Sequence, residues 1–249
     1  MDFLILGLRR SGTTSLWNFL RAHPQICPPK YNKELSKQFF IDKIPENDFL
    51  KKNYFPSATT KILIDATPGT FKNSNYIRKV NNFSDIKRIR CIFTLRNPIS
   101  RIYSLIVYKM KLDCTGDENV DFISKKNEVD IEKLKNYFDK NFYTNKEIEN
   151  LYKTLTYDNI LFLKIEELSK SKNLIHKFLG INYYKTEIKK SNSLSQNPIK
   201  FKMIKPIEQV KEWFISNKKE IFDMMYKDRE QVKNLCGVYF NEDHSLSFL

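Results

Sequence analysis

At 249 residues, with 41% hydrophobic and 14% aromatic residues, six glycines and nine prolines, the chain excludes fibrous, low-complexity and disordered classes and has room for one α/β domain with a substantial core. The formal charge of +14, from 43 basic and 29 acidic residues, favours anionic partners, yet the lysines are spread rather than blocked and leave no footprint for nucleic acid. No apolar run of about 18 residues occurs, no signal-peptide core is visible, and Cys27, Cys91, Cys114 and Cys236 form no C-x-x-C pair, so the expectations are no membrane span, no metal site, no disulfide framework and a cytoplasmic location.

Residues 2–6 read as a buried strand, and 13–22 as a helix with Leu16, Phe19 and Leu20 on one face, closed by His23-Pro24. Between them lies Gly7-Leu8-Arg9-Arg10-Ser11-Gly12-Thr13-Thr14. A strand running into a Gly-bounded loop and then a helix is how proteins cradle phosphate, because loop N–H groups and the helix N-terminus point at the anion. The spacing is that of G-x-x-x-x-G-K-[ST], but Thr13 stands at the lysine position and the charge sits earlier, at Arg10. Such a loop suits phosphate without a metal-bound triphosphate.

Residues 27–33 read as a loop, 34–41 and 46–54 as short helices, 61–65 as a second strand followed by the loop Thr67-Pro68-Gly69, and 72–82 as a helix. A third strand, Arg90 to Leu95, ends at Arg96-Asn97-Pro98, where a helix to about Lys111 begins with Asn97 as cap and Pro98 in its first turn. Residues 113–130 read as a flexible connection, with 113–150 a lid or acceptor-side insertion, and 131–156 as one or two helices. Residues 159–164 read as a fourth strand, Glu166 to Leu179 as a helix stopped by Gly180, 185–205 as a loop, and 206–236 as a helix stopped by Gly237. Apolar strands alternating with helices predict a central parallel sheet flanked by helices, in a single domain over 1–249 with a P-loop-like phosphate loop. The loops at 7–14, 65–69 and 96–104 all follow strand carboxyl ends, where such sheets bind ligands.

Two segments carry the chemistry. In the first, Gly12, Thr13 and Thr14 offer N–H groups and hydroxyls, and Arg10, with Arg9 and Ser11 beside it, offers a forked charge. In the second, Arg96 sits at a strand end, Ser104 follows eight residues later, and Arg101 adds charge on an adjacent turn. Together they resemble the sulfotransferase family that uses 3′-phosphoadenosine 5′-phosphosulfate (PAPS). The resemblance implies that Arg10, Gly12, Thr13 and Thr14 grip the 5′-phosphosulfate and that Arg96 and Ser104 grip the 3′-phosphate, with 3′-phosphoadenosine 5′-phosphate (PAP) as product and no metal. Leu20-Arg21-Ala22-His23-Pro24, Asp65-Ala66-Thr67-Pro68-Gly69-Thr70-Phe71, the stretch Ile160 to Leu168 with Phe178-Leu179-Gly180, and Met225 to Gly237 are similar to further family landmarks in the same order. Asn32-Lys33-Glu34, with Phe39-Phe40 two residues further away than usual, is similar to a segment of the carbohydrate branch whose glutamate is the proposed base. The resemblance therefore implies sulfuryl transfer to a hydroxyl or amine, a saccharide favoured, with Glu34 as base and Asp65 as the alternative. The competing classes are a P-loop kinase, opposed by Thr13, and a polyanion-binding module, supported by charge alone.

Overall fold

The computed structural model of the protein describes residues 3–30, 53–66, 90–115, 122–123, 128–153, 155, 157–185, 204–238 and 240. Among the described residues the chain divides into two compact units, one of residues 1–96 with 149–191 and one of 97–148 with 192–249.

The first unit is built on a sheet. Its strands are β1 (Phe3–Gly7), β2 (Ile26–Cys27), β3 (Ile62–Asp65), β4 (Arg90–Leu95) and β5 (Ile160–Lys164), in the order β2-β3-β1-β4-β5. All neighbours are parallel. The four predicted strands are present, and a fifth, β2, overlaps the predicted 27–33 loop at its first residue, Cys27. Two residues are too short a run for periodicity to reveal; β2 exists because Ile26 and Cys27 pair with Ile62 and Leu63. On one face, Phe3 and Ile5 of β1, Ile64 and Ile92 meet Leu16, Trp17, Phe19 and Leu20 of helix α1 (Thr13–Leu20). Ile175 and Leu179 of a later helix, Lys172–Leu179, join the same core. Each such side chain, fully buried, contributes about 1.5–3 kcal/mol, and the period-2 alternation of Phe3 and Ile5 selects which face of β1 meets the helices.

The chain leaves β1 toward β2 and β3 on one side, then crosses to β4 and β5 on the other. The carboxyl ends of β1 and β4 therefore flank a topological switch point, where open α/β sheets bind ligands. The loop after β1 and Arg96 after β4 stand at that point.

The second unit is helical. It contains α2 (Pro98–Thr115), α3 (Ile131–Phe142), the start of α4 (Asn145–Tyr152), and, after α5 (the Lys172–Leu179 helix of the first unit), α6 (Ile204–Ser216) and α7 (Lys218–Cys236). Asn97 caps α2 as expected, its Oδ1 accepting from the N–H groups of Ile99 and Ser100, each at 3.1 Å. The predicted 206–236 helix is two helices broken at Asn217, and the predicted Glu166–Leu179 helix is a 3₁₀ turn at Ile165–Glu167 followed by α5. Gly180 and Gly237 end α5 and α7 as expected. The core of this unit joins Ile102, Ile106 and Met110 of α2 to Phe138, Phe142, Phe214 and Met225.

Candidate functional site

Gly7 is paired with Thr94 across β1 and β4. A Cβ on Gly7 would strike the Thr94 hydroxyl and lie 2.6 Å from Ser11 Oγ, so only glycine admits this junction. Ser11 Oγ lies 2.7 Å from the Leu8 carbonyl, to which it donates, and 2.8 Å from Thr94 Oγ1, which in turn lies 3.2 Å from the Leu6 carbonyl. Ser11 is 1% exposed, and its N–H also reaches the Leu8 carbonyl, at 3.1 Å. Its hydroxyl thus points into the sheet and shapes the loop from beneath.

The loop then turns through two left-handed residues. Arg10 has φ +69°, the positive-φ residue other than glycine among those described, and Gly12 has φ +91°. Alternation of this kind gathers successive N–H groups into an anion-binding concavity. Gly12 is also the N-cap of α1; it brings no side-chain acceptor, and no acidic residue stands in the first turn. Ordinary helices fill that place with Ser, Thr, Asp or Asn. Its omission here leaves the helix terminus suited to an external anion. Arg9 is exposed, Arg10 and Thr14 are half-buried, and Thr13 is 5% exposed.

Arg96 is half-buried one residue beyond β4. Its guanidinium donates to the Arg10 carbonyl at 3.1 Å. Burial pushes its pKa down, and the nearby Glu166 carboxylate acts in the opposite direction; an arginine so placed remains charged. The turn after β5 also closes on the loop, because a Cβ on Gly12 would collide with the Ile165 side chain. Loop, Arg96 and the Ile165–Glu167 turn therefore form one braced assembly in the first unit. Its donors, fixed charge and uncapped helix suit a phosphate group. Among the described residues no cluster of His, Cys, Asp or Glu could hold a metal ion.

The other predicted residues stand as follows. Ser104 is 4% exposed on α2, in the second unit. Asp65 is the last residue of β3, at 1% exposure. Glu34, the Phe39-Phe40 pair and the Thr67-Pro68-Gly69 loop lie outside the described residues. Two expectations are corrected. Arg101 is 2% exposed and donates to the carbonyls of Asn141 and Phe142, both at 2.7 Å, at the end of α3. Its charge serves the helix C-terminus instead of an added phosphate. Lys205 is in α6 rather than a loop, and pairs with Glu128 at 2.9 Å.

Residue-type reasoning missed Thr94 and Ile165. Thr94 had a weak signal, a lone hydroxyl in an otherwise apolar strand. Ile165 had none, since its partner Gly12 is remote in sequence. His176 is 3% exposed and its ring stands 5.4 Å from that of His23. His23 itself packs at the end of α1 as expected, accepting from the Gln25 N–H at Nδ1 (3.0 Å) and donating from Nε2 to the Asn182 carbonyl (2.8 Å).

A parallel sheet with a loop suited to phosphate at its switch point and a strand-end arginine against it defines an α/β protein of the phosphate-binding kind. The sulfotransferase domain family matches residues 1–237, and the chain belongs to that family. A sulfotransferase from Alicyclobacillus acidocaldarius has the same fold, with a TM-score of 0.63 at 15% identity over 96% of each chain. Mouse sulfotransferase SULT7A1, solved in complex with PAP, gives a TM-score of 0.53 at 16% identity, covering 94% of this chain and 87% of that one. The membrane-associated sulfotransferase kil1 of Dictyostelium discoideum is 29% identical over 105 residues, which is 41% of this chain and 22% of that protein. The chain thus matches about a fifth of that relative's length. No helix among the described residues is long and apolar enough to cross a membrane.

Proposed function

We propose that the chain transfers a sulfuryl group from PAPS to a hydroxyl or amine of an acceptor, a saccharide favoured, by in-line displacement. The observation that carries this is the braced cradle: left-handed Arg10 and Gly12 beneath the uncapped N-terminus of α1, with Arg96 on the Arg10 carbonyl. SULT7A1, which shares the fold, is solved with PAP, and that supports the same product here. The family match runs through both compact units, which supports taking the chain as one sulfotransferase domain. We further propose a cytoplasmic location, supported by the free thiols of Cys27, Cys91 and Cys236.

The donor supplies a sulfuryl group attached to a phosphate leaving group. In the proposal Arg10 and Arg9, with the N–H groups of Gly12, Thr13 and Thr14, neutralise the charge that grows on that phosphate as the S–O bond breaks. Arginine acts there as an electrostatic clamp, since its pKa forbids proton donation. Arg96 and Ser104 hold the 3′-phosphate, on the strength of their eight-residue spacing. Glu34 takes the proton that the acceptor loses as its new bond to sulfur forms, with Asp65 as the alternative.

The test compares PAP with AMP by calorimetry, then measures transfer from labelled donor to glycans, phenols and amines. PAP is expected to bind at least tenfold tighter than AMP, and Ser104→Ala to narrow that ratio. Glu34→Gln is expected to abolish transfer with PAP binding intact. Equal affinity for AMP and PAP in the intact protein rejects the donor assignment, and magnesium-dependent ATP binding points instead to a kinase.

A further inference from the structure

We propose that Arg96 is a positioning residue for the phosphosulfate loop as well as a ligand of the 3′-phosphate, so that the two ends of the donor are bound through one side chain. The inference rests on the assignment of residues 7–14 as the phosphate cradle.

The loop has one point at which its backbone needs outside support. Arg10 is held in the left-handed region, where the Cβ of an L-residue crowds its own backbone. Such a conformation persists only where the surroundings over-determine it. Ser11, its successor, is anchored inward by Leu8 and Thr94. The Arg10 carbonyl, at the turn itself, is held by the Arg96 guanidinium at 3.1 Å. That bond is charge-assisted, in the stronger class of hydrogen bonds. Glu166, in the turn whose Ile165 walls Gly12, faces the same guanidinium electrostatically. Arg96 is therefore stationed among three elements, the ends of β4 and β5 and the loop after β1. A guanidinium has five N–H donors in a rigid fork, so a bond to the Arg10 carbonyl leaves donors for a phosphate. Anion engagement by the free side of the fork stiffens the side that holds the loop. The proposal gives Ser104, on α2, the 3′-phosphate alone.

The two members of the 3′-phosphate motif thus differ in a measurable way. Ser104→Ala is expected to weaken PAP and leave AMP, which has no 3′-phosphate, within about twofold. Arg96→Ala is expected to weaken both, AMP by about three- to tenfold, and to speed amide hydrogen exchange at residues 10–13 in the ligand-free protein. Exchange elsewhere in β1 and β4, and the melting temperature, serve as the control for a general structural defect. If Arg96→Ala does not fold, Arg96→Lys is measured in the same way; it lacks the fork and is expected to give the same pattern at smaller amplitude. Unchanged AMP affinity and unchanged loop exchange in the Arg96 variant would overturn the positioning role. Equal binding of PAP and AMP to the intact protein would instead reject the donor assignment, while the exchange measurement still decides the bracing.

Discussion

Gly12→Ala is the sharpest single perturbation of the cradle. Gly12 has φ +91° and ψ +13°, where a Cβ costs about 1–2 kcal/mol. The added carbon would also strike Ile165 Cγ1 and lie 2.7 Å from Cδ1. Forcing a methyl into a packed contact costs about 1–3 kcal/mol. Against this, alanine narrows the unfolded ensemble and returns about 0.4–1 kcal/mol. The net destabilisation is about 1–4.6 kcal/mol, or a melting temperature lower by roughly 2–18 °C for a chain of this size. Thermal unfolding with and without Ile165→Ala separates the components. The steric part is expected to vanish in the double variant, giving a coupling of about 1–3 kcal/mol, and the backbone part to remain. PAP binding is expected to fall in both, because the N-terminus of α1 moves. A Gly12→Ala protein within about 0.5 kcal/mol of the parent, or no coupling to Ile165, would refute the close approach of the β5 turn to the loop.

Arg101→Leu is expected to destabilise the helical unit, by about 1.5–3 kcal/mol for each of the two hydrogen bonds of a charged donor that it removes. It strips the end of α3 of its donor and leaves Asp228, 0% exposed, without the nearby guanidinium. Asp228 also accepts from the N–H groups of Thr144 (2.8 Å) and Asn145 (3.1 Å) at the start of α4, and Arg101→Leu combined with Asp228→Asn is expected to recover part of the loss in urea unfolding. Stability is also expected to fall in mild acid. Burial, then the neighbouring His23, hold the pKa of His176 below the ordinary histidine value. The unfolded chain therefore takes up the proton first, and stability present above about pH 6.5 is lost as pH drops below it, by at most about 1.4 kcal/mol per pH unit for one group. His176→Phe, which keeps a ring against Phe19 and Tyr183, is expected to flatten that slope; an unchanged slope would remove His176 as its source.

What residue order determines here is whatever depends on nearest neighbours and period. Apolar runs such as Phe3 to Leu6 read as buried strands, Asn97-Pro98 starts a helix by cap chemistry, and a glycine-bounded turn into Thr13-Thr14 gives a loop suited to phosphate. The α/β class and the loop were legible on that basis, and the family through the resemblance of the segments at 7–14 and 96–104. The two-residue β2 was not, since it exists only through its pairing with β3. Nor was the fate of the arginines. Arg96 and Arg101 lie five residues apart in one motif and look alike in sequence. Tertiary packing sends Arg96 to the loop carbonyl of Arg10 and buries Arg101 under the end of α3. The physical reason is that a charge's role depends on which backbone carbonyls the fold leaves unpaired near it, and those come from segments about 40 or 86 residues away in the chain.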